Sequence, residues 1–414
     1  MTDFSFNSDS KQILDILDCY IKDENIYNFF SSLDARNNSD AYNSTFDREN
    51  LPEHKIDISR RIKIENVITF GANNLTKHKF ADLLFNLGKL SISLGEFPLA
   101  KDLFVKIISN PVKSDYYESY TAFSYYNLAK IKVLQAEWKE CLEYLNKAKN
   151  TFLSNKDSIG LTDYFLLLGN MYLNTGNLNK AKKAFEKGGE YIDQINDKYF
   201  LGLIDNNIGI IHASQNEFDE ALTYFHRALS YQQQLDNSNK ISEIRNNLGL
   251  LFTLKDDNDT ALGEFDLSIQ SGLKNDYLIS IAMAYVNKSV VYCRTADYKF
   301  ANAYSDKAME LAIRLNDKLT IADVYKVKGM IERELNNFSL SENHLLTSLR
   351  LNSDIKNKYN YAESAYEIGL LYVKWQNIPQ AFKYLKKASD YYLSISAKLQ
   401  EEKINALLKN ISMM

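Results

Sequence analysis

The feature that most constrains this chain is a small residue that recurs at an almost constant interval of about 40 residues, a period within the range of repeat architectures. The positions are Gly88, Ala129, Gly169, Gly209, Gly249, Ser289, Gly329 and Gly369. Six of the fifteen glycines in the chain lie at this one phase. Because a glycine inside a helix costs about 1 kcal/mol relative to alanine, its recurrence indicates a packing requirement. The chain is therefore predicted to consist of repeated helical units.

Two further columns follow each small residue at fixed distances. Twelve positions later stands a second small residue: Ala100, Cys141, Ala181, Ala221, Ala261, Ala301, Ser341 and Ala381. Four positions beyond it are Phe104, Leu145, Phe185, Phe225, Phe265, Ser305, Leu345 and Leu385. We interpret each unit as two antiparallel helices that cross closely at the first small residue, with the second small residue as the matching surface. The predicted fold is an all-α solenoid of about eight helix pairs.

Turns are expected at the same period. Within the pairs they are predicted near Gly95, Ala136, Gly176, Asn216, Asp256, Ala296, Asn336 and Gln376. Between the pairs, Asn and Asp residues that tolerate left-handed backbone and cap helices occur in Asn196-Asp197-Lys198, Asp236-Asn237-Ser238, Asn275-Asp276 and Asn316-Asp317-Lys318.

Composition excludes several classes. Only 15 glycines and 4 prolines occur in 414 residues, too few for a β-sandwich with frequent turns or for a disordered chain. The net charge of −4 provides no positive field for nucleic acid or a membrane surface, so neither partner is expected. Three distant cysteines, no signal-peptide pattern and no long apolar window predict a cytoplasmic protein.

The two ends differ from the repeats. We predict an N-terminal segment over 1–75, eight repeats over 76–394 and a capping helix over 395–414. Within the first segment, helices are expected over 10–33 and 57–72, with a polar loop over 34–56 that contains Pro52. The amphipathic run Lys398–Ile411 places Ile404, Leu407, Leu408 and Ile411 on one side, as a terminal helix that closes the core of a solenoid requires.

The columns resemble the tetratricopeptide repeat. The run Leu168-Gly169…Tyr172…Gly176…Ala181…Phe185 carries the resemblance, as does Ile208-Gly209…Asn216…Ala221…Phe225…Ala228, and it covers roughly residues 80 to 394. The usual repeat has about 34 residues and often a proline near its end, whereas the repeat in this chain is longer and lacks the proline. It is similar to the long repeats of kinesin light chains, spindle-orientation adaptors, maltose-regulator activators and bacterial peptide-sensing regulators. The resemblance implies a right-handed superhelix.

No catalytic motif is present. The chain has no glycine-rich phosphate loop, no G-x-S-x-G, no H-E-x-x-H and no C-x-x-C, and its five histidines lack metal-ligand spacing. We therefore expect no enzyme activity, no cofactor and no metal. His212 occupies the column of Tyr172 and Phe252, which indicates a packing role.

Asparagine recurs two residues before the small residue, as Asn86, Asn127, Asn207, Asn247 and Asn287. A carboxamide has both donor and acceptor groups and could bond the backbone of an extended peptide. In tetratricopeptide proteins that bind peptides, similar inner-face asparagines do this, and the resemblance implies it here. The alternative is that these asparagines belong to the repeat pattern and bond within the stack, and the sequence leaves both open.

The phase of the family supplies further inner-face candidates: Tyr126, Asn170, Asn206, Asn246, Met283, Arg294, Lys326, Arg333 and Tyr366. The middle of this surface is rich in amides, while the C-terminal part adds basic residues beside Asp323, Glu363 and Glu367. Acidic side chains of a ligand could meet those bases. The carboxylate clamp of chaperone cofactors is not matched, because Phe85 and Asp163 occupy clamp positions.

Three functions are compatible with this sequence. The first is a non-enzymatic adaptor that holds an extended peptide segment in the concave groove of the solenoid. The alternative is a peptide-sensing bacterial regulator whose superhelix switches on ligand binding to control a response regulator or another effector. The third is a structural scaffold that forms homo-oligomers.

Overall fold

The computed structural model describes residues 58–109, 115–192, 195–395 and 397–412, together with Ile13, Ile16, Cys19 and Tyr20. Within this part the regular elements are eighteen α-helices. They are α1 (Ile58–Asn74), α2 (Lys77–Ser93), α3 (Phe97–Ser109), α4 (Asp115–Leu134), α5 (Trp138–Ser154), α6 (Ser158–Asn174), α7 (Leu178–Ile192), α8 (Lys198–Ser214), α9 (Phe218–Gln234), α10 (Ser238–Leu254), α11 (Asn258–Leu273), α12 (Leu278–Arg294), α13 (Tyr298–Arg314), α14 (Lys318–Glu334), α15 (Phe338–Asp354), α16 (Lys358–Lys374), α17 (Ile378–Ser394) and α18 (Lys398–Ile411).

Helix α2 packs against α3 in the first of the two compact units described below, and in the second unit the antiparallel pairs run from α6 with α7 to α16 with α17, followed by α18. The predicted all-α fold of consecutive helix pairs is thus confirmed. The expected helix over 57–72 corresponds to α1, whereas the loop over 34–56 and most of the helix over 10–33 lie outside the described residues. The chain divides into two compact units, Met1–Leu128 and Ala129–Met414, here called unit 1 and unit 2. The division into 1–75, 76–394 and 395–414 stays a prediction.

Each helix pair turns through one residue with left-handed backbone. The residue has a φ between 56° and 78° at all eight expected positions: Gly95, Ala136, Gly176, Asn216, Asp256, Ala296, Asn336 and Gln376. At one of these turns Asn216 N–H donates to Ala213 C=O at 3.0 Å, and Glu217 N–H donates to His212 C=O at 2.9 Å. These bonds satisfy carbonyls that the end of a helix would otherwise leave unpaired. The predicted turns are therefore confirmed.

The connections between pairs end in helix caps. The Asp197 carboxylate accepts from Tyr199 N–H at 2.8 Å, and the Asp317 carboxylate accepts from Leu319 N–H at 3.1 Å. A cap of this kind typically stabilises a helix by about 1 kcal/mol. These Asp residues therefore start first helices, as the sequence predicted. At Asn275-Asp276 the predicted cap is absent, because Tyr277 precedes α12 and makes no side-chain cap bond.

The recurring glycines are covered by a large side chain of the second helix. A Cβ on Gly249 would lie 2.5 Å from the ring of Phe265, and a Cβ on Gly209 would lie 2.7 Å from the ring of Phe225. The residue twelve positions on also approaches, since Ser341 Oγ donates to Gly329 C=O at 2.7 Å. The predicted close crossing and its matching small residue twelve positions on are confirmed, and the residue that leaves no room for a side chain stands sixteen positions after the glycine.

The last helix covers the end of the core. Ile404 and Ile411 of α18 are buried, and Leu407 and Leu408 pack against the same apolar cluster of the final pair. The capping role predicted for this helix is confirmed. None of the described helices has the length and apolarity needed to cross a membrane.

Candidate functional site

The first helices of unit 2 form a continuous surface. Each of them packs on its own second helix and also contacts the first helix of the next pair, from α8 with α10 to α14 with α16. This arrangement brings the first helices closest together and places them on the concave side of the stack. We call the surface of α6, α8, α10, α12, α14 and α16 that their second helices leave uncovered the inner face.

Asparagines pair across the middle of the inner face. Asn247 Nδ2 donates to Asn206 Oδ1 at 2.8 Å, and Asn287 Nδ2 donates to Asn246 Oδ1 at 3.0 Å. The two acceptors are buried, whereas Asn247 and Asn287 are half-buried. These contacts are the bonds within the stack that the sequence left open as an alternative.

The pairing leaves hydrogen-bonding capacity on the inner face. A carboxamide has two N–H groups and an acceptor oxygen, so Asn247 and Asn287 each keep one N–H and the oxygen. The side chains of Asn170 and Asn207 make no hydrogen bond with another described residue. Bonding within the stack and bonding to a ligand are therefore compatible at these positions.

In unit 1 the candidate asparagines have partners of their own. Asn86 Nδ2 donates to Tyr20 Oη at 2.7 Å and to Asp82 Oδ1 at 3.3 Å. Tyr20 and Tyr120 each donate to the Asp82 carboxylate at 2.6 Å. Burial, followed by this bond to Asp82, raises the pKa of Tyr20 above its usual value. Asn86 thus fastens an N-terminal tyrosine to α2, a contact that repeat pattern alone could not predict.

The two other unit 1 candidates lie on α4. Asn127 Nδ2 donates to Phe123 C=O at 2.8 Å, one turn earlier in the same helix, and Tyr126 is half-buried. A bond to its own helix consumes one donor of Asn127 and leaves the acceptor oxygen.

The basic residues at the C-terminal part of the inner face are ion-paired. Lys326 Nζ lies 2.5 Å from Glu363 Oε2 and 3.2 Å from Asp323 Oδ1, and Asn360 Nδ2 donates to Asp323 at 3.0 Å. Burial opposes the charge of Lys326, but Asp323 and Glu363 outweigh it and raise the pKa of the lysine. An acidic ligand would have to displace these carboxylates.

Arg333 lies in a second ion-paired group. Its Nη1 is 2.6 Å from Glu367 Oε2 and its Nε is 2.8 Å from Glu334 Oε1, while Lys374 Nζ is 2.9 Å from Glu334 Oε2. Although burial lowers the pKa of Arg333, the two carboxylates raise it on balance. The positive charge of Arg333 is therefore neutralised inside the protein.

The remaining candidates at this end, Arg294 and Tyr366, have part of their side chains exposed. Arg294 Nη1 donates to Thr253 C=O at 2.9 Å, and 42% of its side chain is exposed. Tyr366 is half-buried, and burial raises its pKa. Both present part of a polar side chain beside the two ion-paired groups.

Unit 2 also contains contacts between pairs that are about five repeats apart. Trp138 Nε1 donates to Ile355 C=O, 217 residues away. Tyr391 Oη donates to Gly176 C=O at 3.4 Å. A stack of repeats normally has contacts only between neighbours. These bonds therefore indicate that the stack in unit 2 curves until pairs about five repeats apart come into contact.

Two further contacts belong to the same closure. Gln400 Nε2 donates to Asn216 Oδ1 at 2.7 Å, and Asn216 donates in return to Gln400. Leu178, at the start of α7, is buried in the apolar cluster that contains Tyr372 and Leu385. We call these contacts, with the two bonds above, the closure contacts. They place the inner face inside a closed turn of unit 2.

Two residues of the inner face present apolar surface. Met283, which the phase of the family predicted, is 41% exposed, and Leu250, which sequence reasoning missed, is 38% exposed. The available signal for Leu250 was helical spacing, because it follows Asn247 by three residues.

Comparison with known proteins agrees with this architecture. A family model described as Tetratricopeptide repeat matches residues 200–269, and a second model of the same description matches residues 162–188. No curated protein sequence matches the chain.

Solved structures with a similar fold include a Rap protein complexed with Competence and Sporulation Factor. Its TM-score is 0.62 and its identity 14%, and the match covers 82% of this chain and 93% of that chain. The Rap conjugation gene regulator of the plasmid pLS20, in complex with the Phr* peptide, has a TM-score of 0.58 and 15% identity, with 86% and 92% of the two chains covered. Likeness at these identities shows a shared fold.

Proposed function

We propose that this chain, in which residues 162–188 and 200–269 match tetratricopeptide-repeat models, binds an extended peptide along the inner face of unit 2. The observation that carries the proposal is the row of asparagines on α8, α10 and α12, which keeps donors and acceptors available after the bonds within the stack are made. An extended peptide has unpaired N–H and C=O groups along its length, and each needs a partner when water is excluded.

The proposal assigns binding and no catalytic step. Among the described residues, no group of three or more His, Cys, Asp or Glu side chains could hold a metal ion. The partner is a protein or peptide segment, and the two structural neighbours above are themselves described with a bound factor or peptide.

We place the protein in a reducing compartment such as the cytoplasm. Cys141 and Cys293 are free thiols buried in the helical stack. Burial raises the pKa of each to about 12, so both stay protonated and unreactive at neutral pH. Such thiols behave as small apolar side chains.

Peptide display tests the proposal. A library of random dodecapeptides is selected on the purified full chain, and enriched sequences are synthesised and measured by calorimetry. We expect enrichment of peptides that bind with one peptide per chain. Failure to enrich any binder over several rounds, with a folded protein on the support, would contradict the proposal.

A second candidate function, a ligand-driven switch, is favoured by the closure contacts. The closure involves a few hydrogen bonds and the apolar contacts of Leu178 and Leu173, so opening it leaves each helix pair intact. A peptide held on the inner face would contact helices from both sides of the closure and would shift the equilibrium between its closed and open forms. In a regulator of this kind, ligand binding would change the distance between the two ends of unit 2.

Gly176→Ala is expected to open the closure without unfolding the repeats. A Cβ on Gly176 would lie 2.5 Å from Tyr391 Oη, but the turn itself tolerates alanine, as Ala136 and Ala296 occupy the same position with positive φ. Small-angle scattering should show a larger radius of gyration for Gly176→Ala and none of this change for the matched turn variant Asn336→Ala. Identical profiles for all three proteins would refute a closure of this kind.

A further inference from the structure

The charged residues near the middle of the inner face have partners within the protein. The charged residues beside it on α10 and α12 include Glu243 and Arg294. Glu243 accepts from Lys240 at 2.8 Å and from Tyr277 at 2.5 Å, and Arg294 donates to a backbone carbonyl and lies 3.8 Å from Asp256. Neither is left as an isolated charge, so this region offers no strong site for a charged side chain.

Apolar side chains are exposed in the same region. Leu250 of α10 and Met283 of α12 are 38% and 41% exposed, and among the first helices described only Ile159 shares that degree of exposure for a large apolar residue. Residues three or four apart on a helix lie on one side of it. Leu250 therefore shares a side of α10 with Asn247, and Met283 shares a side of α12 with Asn287.

We call these four residues together the central patch. The helices that carry it are in contact, and the amides on both are tied to the preceding helix by the bonds to Asn206 and Asn246. Each amide is thereby held beside an apolar side chain in a fixed orientation. A surface of this composition is complementary to a backbone flanked by uncharged side chains.

The length of ligand follows from helix spacing. Neighbouring helices lie about 10 Å apart, and an extended chain advances about 3.3 Å per residue. About three peptide residues therefore correspond to one repeat, and the stretch from α8 to α12 accommodates roughly six to nine.

We infer that the ligand of this groove is an uncharged, extended peptide segment that places apolar side chains on Leu250 and Met283 and its backbone on Asn247 and Asn287. The inference rests on the proposed function and specifies its ligand class. It differs from the expectation drawn from the basic residues at the C-terminal end, which would select an acidic ligand. Those bases are already ion-paired with Glu363, Glu367 and their neighbours.

Three pools of capped nonapeptides test the inference on the full chain. The first pool is randomised among Ala, Val, Leu, Ser and Gln; the second carries two fixed Asp residues and the third two fixed Lys residues. We expect the uncharged pool to bind at least about tenfold more tightly than either charged pool, because an unpaired charge is costly to desolvate. Its affinity should change less than about twofold between low and high salt, since screening acts only on charges.

Variants locate the binding surface. Leu250→Ser and Met283→Ser should each weaken the uncharged pool by about tenfold, a loss in keeping with burial of one apolar side chain. Leu267→Ser is the control, because Leu267 is 41% exposed on the second helix α11 and should leave affinity unchanged. All three changes are at exposed positions, and thermal unfolding verifies that each variant is folded.

The outcomes separate the inference from the proposed function. Tighter binding of a charged pool, a strong salt dependence, or equal losses in Leu267→Ser and Met283→Ser would overturn the inference and leave peptide binding in place. If the native chain binds none of the pools, both the inference and the proposed function fail.

Discussion

Replacing Gly249 with alanine should lower the free energy of unfolding by about 1–2 kcal/mol, although alanine is the better helix former. The new Cβ would lie 2.5 Å from the ring of Phe265, which is fully buried and cannot move away without disturbing its own contacts. Overpacking of a close-packed core costs about 1–3 kcal/mol, which exceeds the gain in helix propensity. Chemical denaturation of both proteins measures the difference.

Gly263→Ala is the matched control. Gly263 lies on α11 with nothing within 4 Å of a Cβ built on it, so the propensity gain is unopposed. We expect this variant to be more stable by about 0.5–1 kcal/mol. Equal shifts in the two glycine variants would show that the recurring glycines have no packing role.

The chain itself suggests how the Gly249 variant can be rescued. Where the small residue is alanine, at Ala129, the residue sixteen positions on is Leu145 instead of phenylalanine. The double variant Gly249→Ala with Phe265→Leu reproduces this combination and should be more stable than the sum of the single changes predicts, with a coupling of about 1 kcal/mol. Strict additivity would contradict the size complementarity inferred for these pairs.

Arg333→Met should destabilise unit 2 by about 3–5 kcal/mol, the cost usually found when one partner of a buried ion pair is removed. The side chains of Arg333 and Glu367 are only 10% and 14% exposed, so the loss of the guanidinium leaves a carboxylate with little access to water. Glu334 loses a partner at the same time. Denaturation at neutral pH measures the effect.

Two variants distinguish a lost ion pair from lost packing. Lys374→Met removes a more exposed partner of Glu334 and should cost less than about 1 kcal/mol. Arg333→Met combined with Glu367→Met removes both charges and should recover much of the stability, since well-packed apolar residues often replace a buried pair without loss. A double variant as unstable as Arg333→Met alone would assign the effect to packing.

The lowered pKa of Glu334 determines how the stability of this site changes with pH. Burial acts to raise the pKa of Glu334, but the bonds from Arg333 and Lys374 outweigh it, and the pKa in the folded protein is lowered. The folded state thus holds Glu334 ionised to lower pH than the unfolded state does. Its contribution to stability is present above the usual glutamate pKa and is lost as the pH falls through the folded value.

Local features of the fold could be predicted from the sequence because they repeat. The eight turns with positive φ and all but one of the predicted Asp and Asn caps lie where the repeat period placed them. Asn216 and Gly176 differ in identity but occupy one position of one pattern, so each copy supports the assignment of the others. The small residue twelve positions on does approach the first helix, as Ser341 approaches Gly329. The side chain that covers the glycine, sixteen positions on, was not identified, because the sequence shows which residues are small but not which side chain covers them.

The closure contacts could not be predicted in this way. They depend on the small rotation between successive pairs, which accumulates over about five repeats before Trp138 meets Ile355. No single repeat encodes that rotation, and a repeat pattern contains only neighbour contacts.

The inner face was predicted in part. The positions of Asn247 and Asn287 followed from their phase, but the choice between a bond in the stack and a bond to a ligand depends on distances that only the structure provides. The sequence placed the bases Lys326 and Arg333 near acidic residues, but the ion pairs with Glu363 and Glu367 of the next repeat depend on distances between repeats. The charge that a repeat surface offers to a ligand can thus be judged only when the ion pairs between neighbouring repeats are known.

The central claim is that a peptide lies along the asparagines of the inner face, and affinity in a triple variant tests it most directly. A peptide recovered by display is titrated into the native chain and into the chain with Asn207→Ala, Asn247→Ala and Asn287→Ala. Three lost hydrogen bonds, each worth about 1 kcal/mol, should weaken binding by roughly 100-fold, while circular dichroism shows an intact helical stack. Undiminished affinity in the folded triple variant would contradict the assignment of the groove.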